Sequence, residues 1–170
     1  VILRNLTLTS TQETGTWNSY DVTLNCNVDL ENVELLKAVA FDGDKTTVNV
    51  KNVTIKESHD YYAMWISAAG QTVNIENLVI ESAGRGIKID EEYVNDAVAK
   101  VTLNINNAKF TTANKAAIMV KSAKGADITL QNVDITAVKK DTLYPVWVDE
   151  DAAAYADLVT VTGGLKKVEG

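Results

Sequence analysis

Apolar and polar residues alternate in short runs along this chain, and the runs come in pairs separated by a phase slip. VNVKNVTIKES at 48–58 shows it most plainly: Val48 and Val50 alternate with polar neighbours, Lys51 and Asn52 interrupt, and Val53 and Ile55 resume out of phase. Period-two alternation marks a half-buried strand, so two short strands meet here at a bend. Five other stretches fit the same template of apolar, any, apolar, any, Asn, apolar, any, apolar: VILRNLTLTS at 1–10, VDLENVELLK at 28–37, VNIENLVIES at 73–82, LNINNAKFTT at 103–112 and ITLQNVDITA at 128–137. The bend residues are Asn5, Asn32, Asn52, Asn77, Asn107 and Asn132, spaced 27, 20, 25, 30 and 25 residues apart. That period marks a repeat protein.

Asn tolerates the left-handed backbone conformation that such a bend requires. If the copies stack in register at a strand spacing of about 4.8 Å, each Asn amide can donate to one neighbour and accept from the other, which predicts a ladder of six. The polar positions support the same register. Arg4, Glu31, Lys51 and Glu76, each preceding a bend Asn, alternate in sign, and Asn106 and Gln131 continue the column. Opposite charges on adjacent strands attract. Asp29, Asn49, Asn74, Asn104 and Thr129 predict a second polar column.

A third apolar run follows each bend at a variable distance: AMWIS at 63–67, GIKID at 86–90, AIMVK at 117–121 and PVWVD at 145–149, with weaker versions at Val22–Leu24 and Val39–Phe41. With three short runs per turn and an Asn at one bend, the chain resembles the right-handed parallel β-helix of the pectate-lyase-like superfamily. The resemblance covers the whole chain and concerns architecture, because the matching motif is a stacking motif. Leucine-rich repeats also stack an Asn, but the L-x-x-L that must precede it is missing.

The apolar content of 46% over 170 residues suits one domain with a substantial core, 1–170, and the single Pro suits strands throughout. A formal net charge of −7, with no basic cluster denser than Lys139–Lys140 or Lys166–Lys167, argues against nucleic acid as a partner. There is no apolar run of membrane-spanning length. The lone Cys26 excludes an internal disulfide. Starting at Val1 inside a repeat, the chain reads as a segment of a longer protein. Stacked parallel strands leave open edges, so adjoining domains or self-association at the terminal rungs are expected. EDAAAYA at 150–156 could make a helical turn, and DLVTVTGG at 157–164 begins a seventh rung without the Asn.

In the superfamily that the chain resembles, chemistry takes place on the face made by the third run. There the alternation points Ile87 and Ile89 inward and predicts an outward column of Thr23, Ala40, Trp65, Lys88, Met119 and Trp147, flanked by Ser67, Asp90, Lys121 and Asp149. Eight of the eleven aromatic residues, Trp17, Tyr20, Phe41, Tyr61, Tyr62, Trp65, Tyr144 and Trp147, lie on this sheet or its approach loops. Exposed rings beside polar groups suit the apolar faces and hydroxyls of sugars, so Tyr61, Tyr62, Trp65, Lys88, Asp90, Lys121, Trp147 and Asp149 are the candidate ligand-binding set for a polysaccharide or glycan. The competing reading is that Lys88 lies over Trp65 as a cation–π pair and Met119 packs on Trp147, closing the face on itself.

The acid sets that the resemblance would require for catalysis are absent. GRGIKID matches part of one pectinase motif, without the companion N-T-D, D-D and G-H-G elements. Asp90 and Asp149 should lie two rungs apart, about 10 Å by strand spacing, with Lys121 between them. His59 is the only His, and the acidic runs at 90–92 and 149–151 lack calcium-loop spacing. No catalytic residue, metal site or cofactor is assigned. The sequons at Asn5 and Asn52 fall on expected ladder positions.

The expected fold is an all-β, right-handed, single-stranded parallel β-helix of about six rungs. The expected role is a non-catalytic structural or adhesin-like scaffold that binds carbohydrate. The resemblance places it on a secreted or cell-surface bacterial protein. The alternatives are a polysaccharide lyase or glycoside hydrolase whose acids lie outside this segment, and a fibre or assembly unit.

Overall fold

The computed structural model describes residues 1–9, 20–57, 62–82, 85–90, 100–112, 116–122, 124–136 and 143–169. Among these residues, strands alternate between two parallel sheets. One sheet holds β1 (Ile2–Leu8), β3 (Val28–Leu35), β5 (Thr47–Glu57), β7 (Thr72–Ser82), β9 (Val101–Thr112), β11 (Ala126–Thr136) and β13 (Val159–Thr162), in that order. The other holds β2 (Tyr20–Leu24), β4 (Ala38–Phe41), β6 (Tyr62–Ile66), β8 (Arg85–Ile89), β10 (Ile118–Val120), β12 (Val146–Val148) and β14 (Lys166–Val168). Each turn of chain thus lays one long and one short strand on the turn before, a β-helix-like stack.

The bends behave as the phase slip predicts. All six repeat Asn residues have positive φ, between 52° and 61°. Pairing skips them: Arg4 lies opposite Glu31 and Leu6 opposite Val33, with Asn5 and Asn32 out of the ladder, and the same gap recurs at each later turn. Pairing resumes at once beyond the Asn, so the two runs expected as separate strands form one long bent strand. The described residues therefore form two sheets where the apolar runs suggest three.

The slip also keeps both halves facing inward. Val48, Val50, Val53 and Ile55 of β5 are buried, as are Val73, Ile75, Leu78 and Ile80 of β7. From the other sheet Val39, Phe41, Met64, Ile66, Ile87 and Ile89 meet them in one continuous core. Each such side chain contributes about 1.5–3 kcal/mol by leaving water. In register, the core repeats turn after turn.

The side-chain ladder forms, with one slip. Asn32 donates to Asn5 at 2.9 Å, Asn52 to Asn32 at 3.0 Å, Asn77 to Asn52 at 2.8 Å and Asn107 to Asn77 at 2.5 Å. Asn132 instead donates to Asn106, at 3.4 Å. The doubled Asn106–Asn107 offers a second acceptor one residue away, and the last rung takes it. The expected charge alternation produces Arg4–Glu31 at 2.6 Å and Lys51–Glu76 at 3.2 Å.

Beyond the six rungs marked by Asn, the seventh that begins at 157–164 is present as a full turn. β13 pairs with β11 and β14 with β12. It escapes the Asn template because its bend is built on Gly163, with φ of 80°. A Cβ there would lie 2.0 Å from the Leu130 carbonyl oxygen, so this turn is closed by a residue without a side chain. The expected helical stretch is a 3-10 helix, Glu150–Leu158. Lys166 Nζ donates to the Ala156 and Val159 carbonyls at 2.6 and 2.7 Å, which ties its C-terminal end to β14.

Candidate functional site

The short-strand sheet carries the predicted column in full register. Thr23 lies opposite Ala40, Ala40 opposite Trp65, Trp65 opposite Lys88, Lys88 opposite Met119 and Met119 opposite Trp147. The seventh turn adds Lys167 opposite Trp147. These side chains point away from the apolar core, as the alternation requires.

They do not form an open aromatic surface. Trp65 is 8% exposed, Trp147 5% and Tyr62 2%. The rings are occupied by cations: Lys88 Nζ lies 4.7 Å from the Trp65 ring centroid and 5.6 Å from that of Tyr62, and Lys167 Nζ lies 4.4 Å from that of Trp147. Arg85 sits 5.0 Å over Tyr62 and donates to its hydroxyl at 3.1 Å. Trp147 Nε1 donates to Glu169 at 3.0 Å. Tyr62, Ala116, Met119 and Trp147 form a small second apolar cluster, so the expected packing of Met119 on Trp147 is present.

The flanking polar column is also in place. Ser67, Asp90, Lys121 and Asp149 each donate a backbone N–H to the preceding turn, to Phe41, Ile66, Ile89 and Val120 respectively. Within the column, Lys121 pairs with Asp149 of the neighbouring turn, while Asp90 pairs elsewhere. Asp90, just past the end of β8, forms its ion pair with Lys88 two residues earlier, and both side chains are almost fully buried. Lys121 turns to the other side, 3.0 Å from Asp151 and 3.8 Å from Asp149. Asp149 also caps the 3-10 helix by accepting from the Asp151 N–H at 3.3 Å. The hydrogen bond to Asp151 holds the Lys121 pKa above the usual lysine value, against partial burial and with help from Asp149, Asp151 and Asp90. The acids of this face are thus committed to lysines and to a cap.

Of the candidate ligand-binding residues, Tyr62, Trp65, Lys88, Asp90, Lys121, Trp147 and Asp149 share this sheet or its C-terminal margin. Tyr61 lies outside the described residues, as do Trp17 and His59. Glu169 and Lys167 belong to the same face; the sequence reading overlooked them because their turn lacks the Asn template. Among the described residues, no three His, Cys, Asp or Glu side chains are grouped so as to hold a metal ion. No helix among them is long and apolar enough to cross a membrane.

An open concavity lies on the long-strand sheet. A groove of about 300 Å³ crosses β5, β7, β9 and β11 between the two polar columns that precede the bends. Asn49, Asn74 and Asn104 line one side; Lys51, Glu76, Asn106 and Gln131 line the other. Asn49 donates to Asp29 at 2.8 Å, Asn74 to Asn49 at 3.0 Å and Asn104 to Asn74 at 3.0 Å, a second amide ladder parallel to that of the bends. Both columns are legible in the sequence as stacking columns. What they enclose depends on strand twist and side-chain direction, which the alternation does not encode.

Comparison with protein-family models, with curated proteins and with solved structures gives no match to this chain.

Proposed function

We propose that this chain is a non-catalytic β-helix module, a right-handed single-stranded coil of the pectate-lyase-like architecture, acting as a stiff scaffold within an exported, surface-exposed protein. The handedness follows from a physical rule: crossovers between parallel strands of one sheet are right-handed almost without exception. The observation that carries the reading is the parallel pairing of seven successive strands in each sheet. Six strand spacings of about 4.8 Å give a stack roughly 29 Å long with a continuous core. Secretion to a cell surface remains an expectation from the architecture.

The carbohydrate platform expected at Trp65 and Trp147 finds no support in open rings, because lysines already cover them. The acids a lyase or hydrolase would use on that face are likewise engaged.

Single-molecule pulling from the two chain ends tests the scaffold role. A stack of repeats with nearest-neighbour interfaces should unravel in successive steps, each releasing one turn of 20 to 30 residues. Rupture in one low-force event would contradict a stiff scaffold. A parallel assay on pectin, alginate and hyaluronan should yield neither reducing ends nor unsaturated products, and product formation would contradict the non-catalytic reading.

A further inference from the structure

We infer that the groove on the long-strand sheet is a binding site for a neutral, extended polyhydroxy chain, a linear glycan lying along the stack axis across β5, β7, β9 and β11. The inference goes beyond the scaffold role and does not depend on it.

Hydrogen-bonding capacity is the first argument. A carboxamide has two N–H donors and two acceptor lone pairs. In the ladder, Asn49 and Asn74 each spend one N–H on the preceding turn and one lone pair on the following one. One donor and one acceptor remain on each of these two residues. The opposite side adds the amides of Asn106 and Gln131. Hydroxyl groups, which both donate and accept, match such walls better than a purely anionic or purely cationic ligand would.

Charge and backbone narrow the class further. Among the described residues, the charged groups lining the groove are Lys51 and Glu76, which neutralise each other at 3.2 Å. The floor is strand backbone at Val50, Ile75 and Ile105, whose side chains are buried in the core. Its N–H and C=O groups are spent on neighbouring strands on both sides, so a peptide cannot add as another strand. A nucleic acid would face Glu76 without a basic patch.

Repeat distance is the third argument. The walls repeat at the strand spacing, about 4.8 Å. In a flat β-linked glycan, successive pyranose rings advance by nearly that distance, so each ring can lie over one turn and meet at least one amide: Asn49, then Asn74, then Asn104 with Asn106, then Gln131. Four strands line the groove, which suits a segment of three or four rings. Without an aromatic stacking partner in the walls, the affinity should be modest and gained along the chain length.

The test is a titration of the isotope-labelled chain with cellohexaose, mannohexaose, xylohexaose and the coiled α-linked maltohexaose, observed through side-chain amide resonances. At least one β-linked hexasaccharide should shift the Asn49, Asn74 and Asn104 amides at millimolar concentration, and maltohexaose should bind at least several-fold more weakly. Asn74→Ala with Asn106→Ala should weaken binding about tenfold or more. Thr129→Tyr, which narrows the groove and leaves these amides in place, should do likewise, so that loss cannot be ascribed to a damaged ladder. No shift with any hexasaccharide would overturn the inference. So would shifts centred on Trp65, Lys88 and Trp147, or equal binding of maltohexaose.

Discussion

The column through Trp65, Lys88, Met119 and Trp147 and the column through Asn49, Asn74 and Asn104 are built alike, one residue per turn in parallel register. The first is buried, with its cations on its rings and an acid beside them. The second is a partly exposed ladder of neutral amides beside an open groove. Residue type makes the difference. Large rings and long cations cover one another when stacked at strand spacing, whereas short amides satisfy their neighbours and still keep capacity facing outward. An aromatic-rich face is therefore not by itself a binding face.

The largest way to break this contrast is to unpair the sealed column. Asp90→Ala leaves Lys88 buried without its acid and should cost about 3–5 kcal/mol, toward the lower end because the Trp65 and Tyr62 rings still face the ammonium. Replacing the pair together, Lys88→Met with Asp90→Leu, should return stability to within about 1 kcal/mol of the parent. Denaturant unfolding of the three proteins checks both. If the single and double variants are equally unstable, the cost lies in packing rather than in an orphaned charge.

The bend ladder comes next. Asn77→Ala places an ordinary residue at φ of 60° and removes two ladder bonds, for about 2–3 kcal/mol. Asn77→Gly restores the backbone freedom and loses only the bonds, for about 1 kcal/mol. Equal losses in thermal unfolding would mean that the left-handed bend contributes nothing to the choice of Asn. On the open column, Asn74→Ala should cost about 0.5–1 kcal/mol, because water can replace its partners. A loss as large as that of Asp90→Ala would erase the distinction between sealed and open columns.

The smallest effect is in pH. Lys121 has a raised pKa in the fold, so its ion pairs add stability that is complete below the unfolded lysine value, about 10.4, and fades as pH rises through the higher folded value. Stability measured from neutral to strongly alkaline pH should therefore fall less in Lys121→Met than in the parent. At the opposite end, Glu34 is held below the usual carboxylate range by Lys56, 2.5 Å away. Its contribution is present above the unfolded glutamate value, about 4.3, and is lost as acid takes pH down through the lower folded one. Both groups are partly exposed, and solvent screening keeps these slopes shallow.

The stacking itself was legible because it depends on period and phase. Six Asn residues mark six bends, and the residues around Val48 to Ile55 carry their direction in the alternation. Two features were legible only in part, for physical reasons. The start of a seventh rung shows at 157–164, but its bend on Gly163, a second chemical solution to the same backbone requirement, falls outside the Asn template. The burial of Trp65 and Trp147 depends on what lies over them, and Lys88 and Lys167 reach them across neighbouring turns. Alternation tells which side of a strand a residue is on, not whether that side is covered.

The parallel, in-register stack underlies every other inference, and a distance between two spin labels tests it most directly. In a Cys26→Ser background, labels at Arg4→Cys and Gln131→Cys occupy one column five turns apart, through Glu31, Lys51, Glu76 and Asn106. Five strand spacings of about 4.8 Å predict a narrow distribution near 24 Å, broadened by the label tethers. A broad distribution, or one centred well above that distance, would contradict the stack and the functions argued from it.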